Sequence, residues 1–212
     1  MNLWHWSTLQ KSRDRQASRG VGLEWIQCGF LKPSFQRRDS MSQSIGNTIA
    51  DSLQLCLNYG EVLLKDVTPE MFGRFATADG KPIESNHPAF IYGHLSLYAH
   101  QIMHDLGKPM DAPPAGFEEN FSKDCVCKDD PEGKLPDMDT VTGHFFSAWK
   151  ETLEVLRATD DETFQKPNPS QAMASRFPTL GSVQNFYASG HNMMHLGQMS
   201  AWRRMSGLGS AS

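Results

Sequence analysis

The sequence lacks the features that mark membrane, secreted and nucleic-acid-binding proteins. No run among its 212 residues approaches the roughly 18–20 apolar residues of a membrane-spanning helix. The net charge of −4 gives no general attraction to nucleic acid. Residues 1–40 contain no continuous apolar core of a secretory signal, so we expect the four cysteines to be free thiols. These absences predict a cytoplasmic protein with neither a membrane nor a nucleic-acid partner.

Strand patterns and internal repeats are also missing, whereas helical periodicity is frequent. Apolar residues recur every three or four positions in four segments, and the connections at 108–136 and 159–178 are long and rich in proline. This pattern predicts an all-α protein, a four-helix bundle with long irregular connections. The predicted helices are 42–65, a segment from near Pro88 to Gly107, 137–159, and Thr179 to Met205.

The first forty residues differ from the rest in charge. They hold seven Lys/Arg and three Asp/Glu, and their apolar residues are scattered. We interpret 1–40 as a disordered extension, or as a spurious one that precedes a true start at Met41; a transit peptide is the alternative. The bundle domain is then expected at 41–208, followed by a flexible tail at 209–212.

Two histidines four residues apart lie in the last predicted helix. At this spacing His191 and His195 share a face, about 5–6 Å apart at Cβ. An unpaired buried imidazole costs about 1–3 kcal/mol, so each needs a partner. A shared metal ion would supply it, although spacing alone fits two core histidines equally well. The apolar stripe around them is predicted to contain Val183, Tyr187, Met194, Trp202 and Met205.

A third ligand is expected from the second predicted helix. His94 lies at the border of that helix's apolar stripe. The adjacent Gly93 removes a side chain where a neighbouring helix or a substrate can approach. Other histidines have weaker claims: we expect His100 and His104 to be solvated, His87 to start the helix, and His144 to be the reserve ligand.

The remaining candidate ligands are two cysteines in the polar segment "DCVCKDDPEG". Cys125 and Cys127 could be half of a metal site, a redox pair or structural loop residues. With no second cysteine pair or histidine nearby, we favour loop residues without a metal role. Cys56, in contrast, falls in an apolar helical stripe and is expected in the core.

Three segments together resemble a known family. "NHPAFIYGHLSLY", "CKDDPEGKLP" and "FPTLGSVQNFYASGHNMMHLGQMSAWRRMSGLG" are similar to the DinB superfamily, which includes YfiT-like proteins, and the likeness covers about residues 42–208. The resemblance implies a four-helix bundle that is often a homodimer. It also implies a divalent metal ion, zinc or nickel, bound by His94, His191 and His195.

The resemblance further implies a transferase that uses a low-molecular-weight thiol such as bacillithiol, mycothiol or glutathione. We hypothesise that the metal activates this cosubstrate to attack an electrophilic small-molecule substrate. Gln198, one turn after His195, could orient a ligand or simply be a polar residue at the bundle's edge. Two alternatives stay open: a metal-dependent hydrolase or isomerase, with Asp51 as a loose candidate for its general base, and a non-catalytic metal- or partner-binding stress protein.

Overall fold

The structure, a computed structural model, describes residues 43–211. The interpretation of residues 1–40 as an extension therefore concerns a segment outside the described residues. The all-α prediction is confirmed, and all four predicted long helices occur, the last with an interruption. The α-helices, in chain order, are α1 (Ile45–Leu63), α2 (Pro69–Phe72), α3 (Pro88–Asp105), α4 (Phe117–Phe121), α5 (Met138–Ala158), α6 (Asp161–Gln165), α7 (Gln171–Ala174), α8 (Leu180–Asn185) and α9 (Asn192–Met205).

The long helices pack around one aromatic core. Helix α1 contacts α5 and α9, while α3 contacts α5, α9 and the short α4. In the core, Tyr92 meets the edge of Phe145 with ring centroids 4.9 Å apart, and its hydroxyl donates to the carbonyl of Gly60 at 2.6 Å. Trp149 and Trp202 are also fully buried. Burial of these large side chains fixes how the four helices face one another.

Local side-chain chemistry determines where the long helices begin. Ser44 accepts a hydrogen bond from the backbone of Asn47 and caps α1, as Asp137 does for α5. Helix α3 begins with Pro88, which suits the first position because a backbone N–H there would have no partner within the helix. His87 Nδ1 accepts a hydrogen bond from the backbone N–H of Phe90 at 3.2 Å. The predicted role of His87 at the helix start is therefore confirmed.

The last predicted helix is interrupted by a π-helical segment, Phe186–His191, between α8 and α9. A π turn holds about one residue more than an α turn, so it rotates α9 by about 100° relative to an unbroken helix. Met194 and Met205, predicted in the buried stripe, are consequently 54 % and 37 % exposed. Val183 and Trp202, from the same predicted stripe, are buried.

The connections hold short elements that the sequence did not predict. A two-residue antiparallel pair, β1 (Thr77–Ala78) and β2 (Lys81–Pro82), turns at Asp79 and Gly80, which both have positive φ. Asp-Gly suits such a tight turn. The connection at 108–136 contains α4, and that at 159–178 contains α6 and α7. Within residues 43–211, no helix has the length and apolar character needed to cross a membrane.

Candidate metal centre

The structure brings the three predicted histidines together. His94 lies on α3, His191 ends the π segment, and His195 follows one turn later on α9. Each residue contributes one ring nitrogen, and these three nitrogens all lie within 4.8 Å of one another. The three residues are only 6 %, 6 % and 7 % exposed. They form a compact nitrogen cluster, called the His triad below.

The orientation of His94 is set by a backbone carbonyl of α4. Its Nδ1 lies 2.8 Å from the carbonyl oxygen of Phe121, which can only accept, so Nδ1 carries the proton. The lone pair is then on Nε2. A Cβ on Gly93 would lie 2.3 Å from the Phe121 ring, so only glycine allows α4 this close. The expected close approach at Gly93 is therefore that of α4.

His195 is oriented in the same way by a side-chain amide. Its Nδ1 donates to Gln198 Oε1 at 2.9 Å, and the same oxygen accepts from Asn86 Nδ2 at 2.9 Å. With Gln198 Oε1 facing it, His195 carries its proton on Nδ1, and its lone pair is again on Nε2. Gln198, for which an orienting role and a position at the bundle's edge were both considered, contacts His195 directly. Metal-bound histidines commonly donate their second ring N–H to such an oxygen.

His191 completes a donor set that fits a divalent metal. Its Nε2 lies 3.1 Å from Nε2 of His195, and its buried Nδ1 has no hydrogen-bond partner. Two nitrogens bound to one ion at about 2.0–2.1 Å, at right to tetrahedral angles, are about 2.9–3.4 Å apart. The observed separation lies in this range, and imidazole donors suit zinc, copper, iron and nickel alike.

Burial keeps the His triad neutral. Desolvation, with repulsion from His195 and His94, lowers the pKa of His191 to about 3. Desolvation and then repulsion from His94 lower the pKa of His195 to about 4, although the Gln198 hydrogen bond opposes the shift. Desolvation also lowers the pKa of His94, against the Phe121 hydrogen bond. Each of the three imidazoles is therefore neutral at neutral pH and has one ring nitrogen with a lone pair.

The His triad lies beside an open cleft of about 870 Å³, which His94 and His191 line. Aromatic rings form one wall: the centroid of Tyr98 is 4.2 Å from that of His191 and 5.0 Å from that of Tyr187. Burial raises the pKa of both phenols, so they stay protonated and can donate hydrogen bonds. Two smaller clefts, of about 470 and 440 Å³, contain none of the three histidines.

The other histidines differ partly from expectation. His104 is exposed, as predicted. His100 was expected to be solvated, but it is half-buried and its Nε2 lies 3.0 Å from Nε2 of His144. The two residues lie on facing helices, α3 and α5, a pairing that single-helix periodicity does not show. His144, the reserve ligand, is therefore engaged with His100 rather than with the His triad.

The cysteine pair stays apart from the His triad. Cys125 Sγ lies 3.1 Å from the backbone carbonyl of Glu119, and Cys127 Sγ lies 3.9 Å from that of Ser85. Neither thiol joins a metal-type cluster among residues 43–211. Burial raises the pKa of Cys127 to about 11. These contacts support the interpretation of both cysteines as loop residues, and Cys56 is in the core as expected.

Several functional contacts were not predicted from the sequence. The Phe121 carbonyl is a backbone atom, so no residue type marks it. The hydrogen bond from Asn86 to Gln198 was also missed. The one signal for it in the sequence is a side-chain amide immediately before His87, at the start of α3. Tyr98 follows His94 by four residues, the spacing that places it beside the histidine.

The fold and the site together define a helical protein with a buried cluster of neutral imidazoles beside an open cleft, a cluster that could hold a metal ion. Comparison with protein families gives a match to the DinB superfamily over residues 48–199. The match covers most of the chain, and the chain belongs to the DinB superfamily. Comparisons with curated proteins and with solved structures gave no match.

Proposed function

We propose that His94, His191 and His195 hold one divalent metal ion, and that the protein is a metal-dependent enzyme. The reaction we propose transfers a low-molecular-weight thiol to an electrophilic small molecule. The observation that supports the site best is the convergence of three buried, neutral ring nitrogens within 4.8 Å. By resemblance to the family, we further propose a cytoplasmic homodimer, whose mass light scattering would measure.

A divalent ion held at this position by the three imidazoles would lower the pKa of a thiol or water and so supply a nucleophile at neutral pH. The chain's own groups prepare that position. Phe121 and Gln198 keep the protons of His94 and His195 on Nδ1. The ring of Tyr98, against His191, shields this side of the His triad from water.

The surroundings of the His triad favour a thiol over water as the nucleophile. Activating water calls for a general base nearby, yet none of the cleft's carboxylates, Asp105, Glu118 and Asp124, joins the 4.8 Å cluster of ring nitrogens. Asp51 does not fill this role, because its carboxylate pairs with Arg157 at 3.1 Å and does not line the cleft. A thiol, with a pKa near 8.5, needs less activation. No cysteine lines the described cleft, so the thiol comes from a cosubstrate.

The proposed reaction is a substitution at carbon and needs no oxidant or reductant. The thiol proton passes to solvent, and the sulfur forms a bond to the electrophilic carbon. The bond from that carbon to the leaving group breaks, and the leaving group takes the electron pair. Tyr98 and Tyr187 both line the cleft in their protonated form. Their hydroxyl groups can donate hydrogen bonds to the negative charge that develops on the leaving group.

Metal content tests the site. After incubation with zinc or nickel and removal of excess ion, the wild-type protein should contain one equivalent by elemental analysis. His191→Ala and His195→Ala should each abolish this content. His104→Ala, a change at an exposed histidine, should retain it. A wild-type protein that takes up no stoichiometric metal would refute the site, and the transferase proposal with it.

Turnover tests the reaction. The metal-loaded protein should form a thioether from a low-molecular-weight thiol and an alkyl halide, detected by mass spectrometry above the uncatalysed rate. His191→Ala should lose this activity and His104→Ala should keep it. If the halide is instead converted to the alcohol at the same rate with and without thiol, the hydrolase alternative replaces the transferase.

A further inference from the structure

The far end of the cleft contains a carboxylate without a fixed cationic partner. Asp105 lines the cleft, and its side chain is only 9 % exposed. It accepts hydrogen bonds from Gln101 Nε2 at 2.8 Å and from Gln184 Nε2 at 3.1 Å. The only basic group near it in the described ion pairs is His104 Nδ1, at 3.6 Å, on a side chain that is 78 % exposed. A nearly buried carboxylate with no permanently charged cation beside it is stabilised when a cationic ligand binds, because the ligand supplies the missing opposite charge.

The charged residues around the cleft are mostly acidic, so they favour a cationic ligand as Asp105 does. Glu118 and Asp124 line it together with Asp105, whereas Lys123 is the one lysine or arginine in its described lining. The two triad members in the lining, His94 and His191, are neutral at physiological pH. Low-dielectric walls concentrate the field of such an excess of carboxylates, so the cleft attracts cations and disfavours anions.

The aromatic wall adds a second, independent attraction for a cation. The rings of Tyr98 and Tyr187 have centroids 5.0 Å apart, and Phe186 follows at 5.6 Å from Tyr187. All three residues line the cleft. The face of an aromatic ring attracts an ammonium group within about 6 Å. Tyr187, whose pKa is raised by burial and also by Asp105, is the ring that can do so at Asp105. Tyr98 lies beside His191 instead.

The geometry of α3 links this end of the cleft to the His triad. Asp105 follows His94 by eleven residues, close to three turns, so both lie on one face about 16 Å apart along the axis. Leu97, Tyr98 and Gln101, between them on the same face, also line the cleft. A single extended molecule can therefore reach from the triad to Asp105.

We propose that the cleft binds an extended cationic ligand whose primary ammonium group contacts Asp105 while its reacting end lies at the His triad. The assignment of the reacting end rests on the proposed function, but the ammonium site does not. Anionic thiols and anionic electrophiles should be poor ligands, since the same carboxylates repel them.

Two pairs of probe molecules test binding at Asp105 and binding at the His triad separately. Octylamine and octanol, tested on the metal-free protein by titration calorimetry, differ in the ammonium group and depend on no metal. Aminooctanethiol and hydroxyoctanethiol, tested on zinc-loaded protein, add a sulfur for the His triad. Aminoethanethiol is too short to span both ends. The variants are Asp105→Asn, nearly identical in shape, and Glu154→Gln as the control at an exposed carboxylate that does not line the cleft.

Wild-type protein should bind octylamine about tenfold more tightly than octanol, the effect of one hydrogen-bonded charge pair. Asp105→Asn should bring this ratio close to one, and Glu154→Gln should leave it unchanged. Aminooctanethiol should show the same dependence on Asp105, and aminoethanethiol should show none. If Asp105→Asn does not fold, the double variant Glu118→Gln, Asp124→Asn should lower the ratio instead.

A ratio near one in the wild type, or one that these variants leave unchanged, overturns the inference. If the amine pair behaves as expected while zinc adds nothing to thiol binding, the ammonium site stands and the thiol-transfer proposal fails. If zinc strengthens thiol binding but the amine ratio is near one, the proposed function stands and the cationic ligand is wrong.

Discussion

Replacing Gly93 with alanine should disturb the contact that orients His94. The added Cβ would lie 2.3, 2.5 and 2.6 Å from three atoms of the Phe121 ring. Ordinary carbon contacts are about 3.5–4.0 Å, so one of the two groups must move by about 1 Å. Phe121 is fully buried and meets Phe90 and Phe117 edge to face, so its ring has little freedom. We expect α4 to shift as a unit, and the Phe121 carbonyl to leave His94 Nδ1.

Two opposing contributions determine the change in the free energy of unfolding. Overpacking a buried contact costs about 1–3 kcal/mol. Alanine is favoured over glycine inside a helix by about 1 kcal/mol, which offsets part of that cost. The net loss is then about 0–2 kcal/mol. Loss of the Phe121 hydrogen bond should weaken metal binding about 10–100-fold, the usual effect of removing the partner of a metal-bound histidine.

Thermal unfolding of the metal-free protein and a metal-binding titration measure the two effects. In a protein of this size, each kcal/mol corresponds to about 2–4 °C in Tm. Gly143→Ala is the matched control, because Gly143 is also inside a helix and a Cβ there meets nothing within 4 Å. It should raise Tm slightly and leave metal affinity unchanged. If Gly93→Ala behaves in the same way, Phe121 does not orient His94.

Three further predictions concern the orienting amide, the cysteines and pH. Gln198→Ala should weaken metal binding about 10–100-fold in a titration, whereas Gln198→Glu, which keeps an acceptor for His195 Nδ1, should not; equal affinities in both variants would contradict the orienting role. Changing Cys125 and Cys127 to serine should leave metal content by elemental analysis at the wild-type value, and a loss would make them ligands. Metal-free protein should lose stability to urea as the pH falls below about 6.5. There the histidines of the unfolded chain take up protons, while burial keeps His195 and His191 neutral in the folded protein down to about pH 4 and about pH 3. A urea midpoint that stays constant from neutral pH to about pH 4 would show that these imidazoles are not desolvated.

Much of the fold could be predicted because each long helix buries one face. Leu53 and Cys56 on α1, for example, fall on the buried side that their spacing indicates. Helical spacing and the position of His94 beside Gly93 selected the three histidines that the structure brings together, and the likeness to the DinB superfamily implied the same three. Gly93 was informative for a physical reason, since a missing side chain beside a candidate ligand indicates a close approach.

What could not be predicted depends on groups that meet across the fold. His100 and His144 lie on different helices, and neither helix's periodicity indicates that they face each other. The acceptor for His94 is the carbonyl of Phe121, and every residue has a carbonyl. The buried stripe near His191 was displaced because the π segment changes the angle per residue, which an assumed constant of about 100° does not allow for.

The π segment also makes the site depend on chain length. Deleting one residue between Phe186 and Gly190 would allow a continuous α-helix from Leu180 to Met205, and α8 would turn by about 100° relative to α9. Val183 would leave the core while every ligand remained in the sequence. A deletion in the mostly exposed irregular stretch 108–112 has no such effect, because a loop absorbs a change of length. Homologous chains that keep the three histidines but lose one residue in the π segment should therefore differ in the part of the cleft wall that Val183 forms beside the His triad.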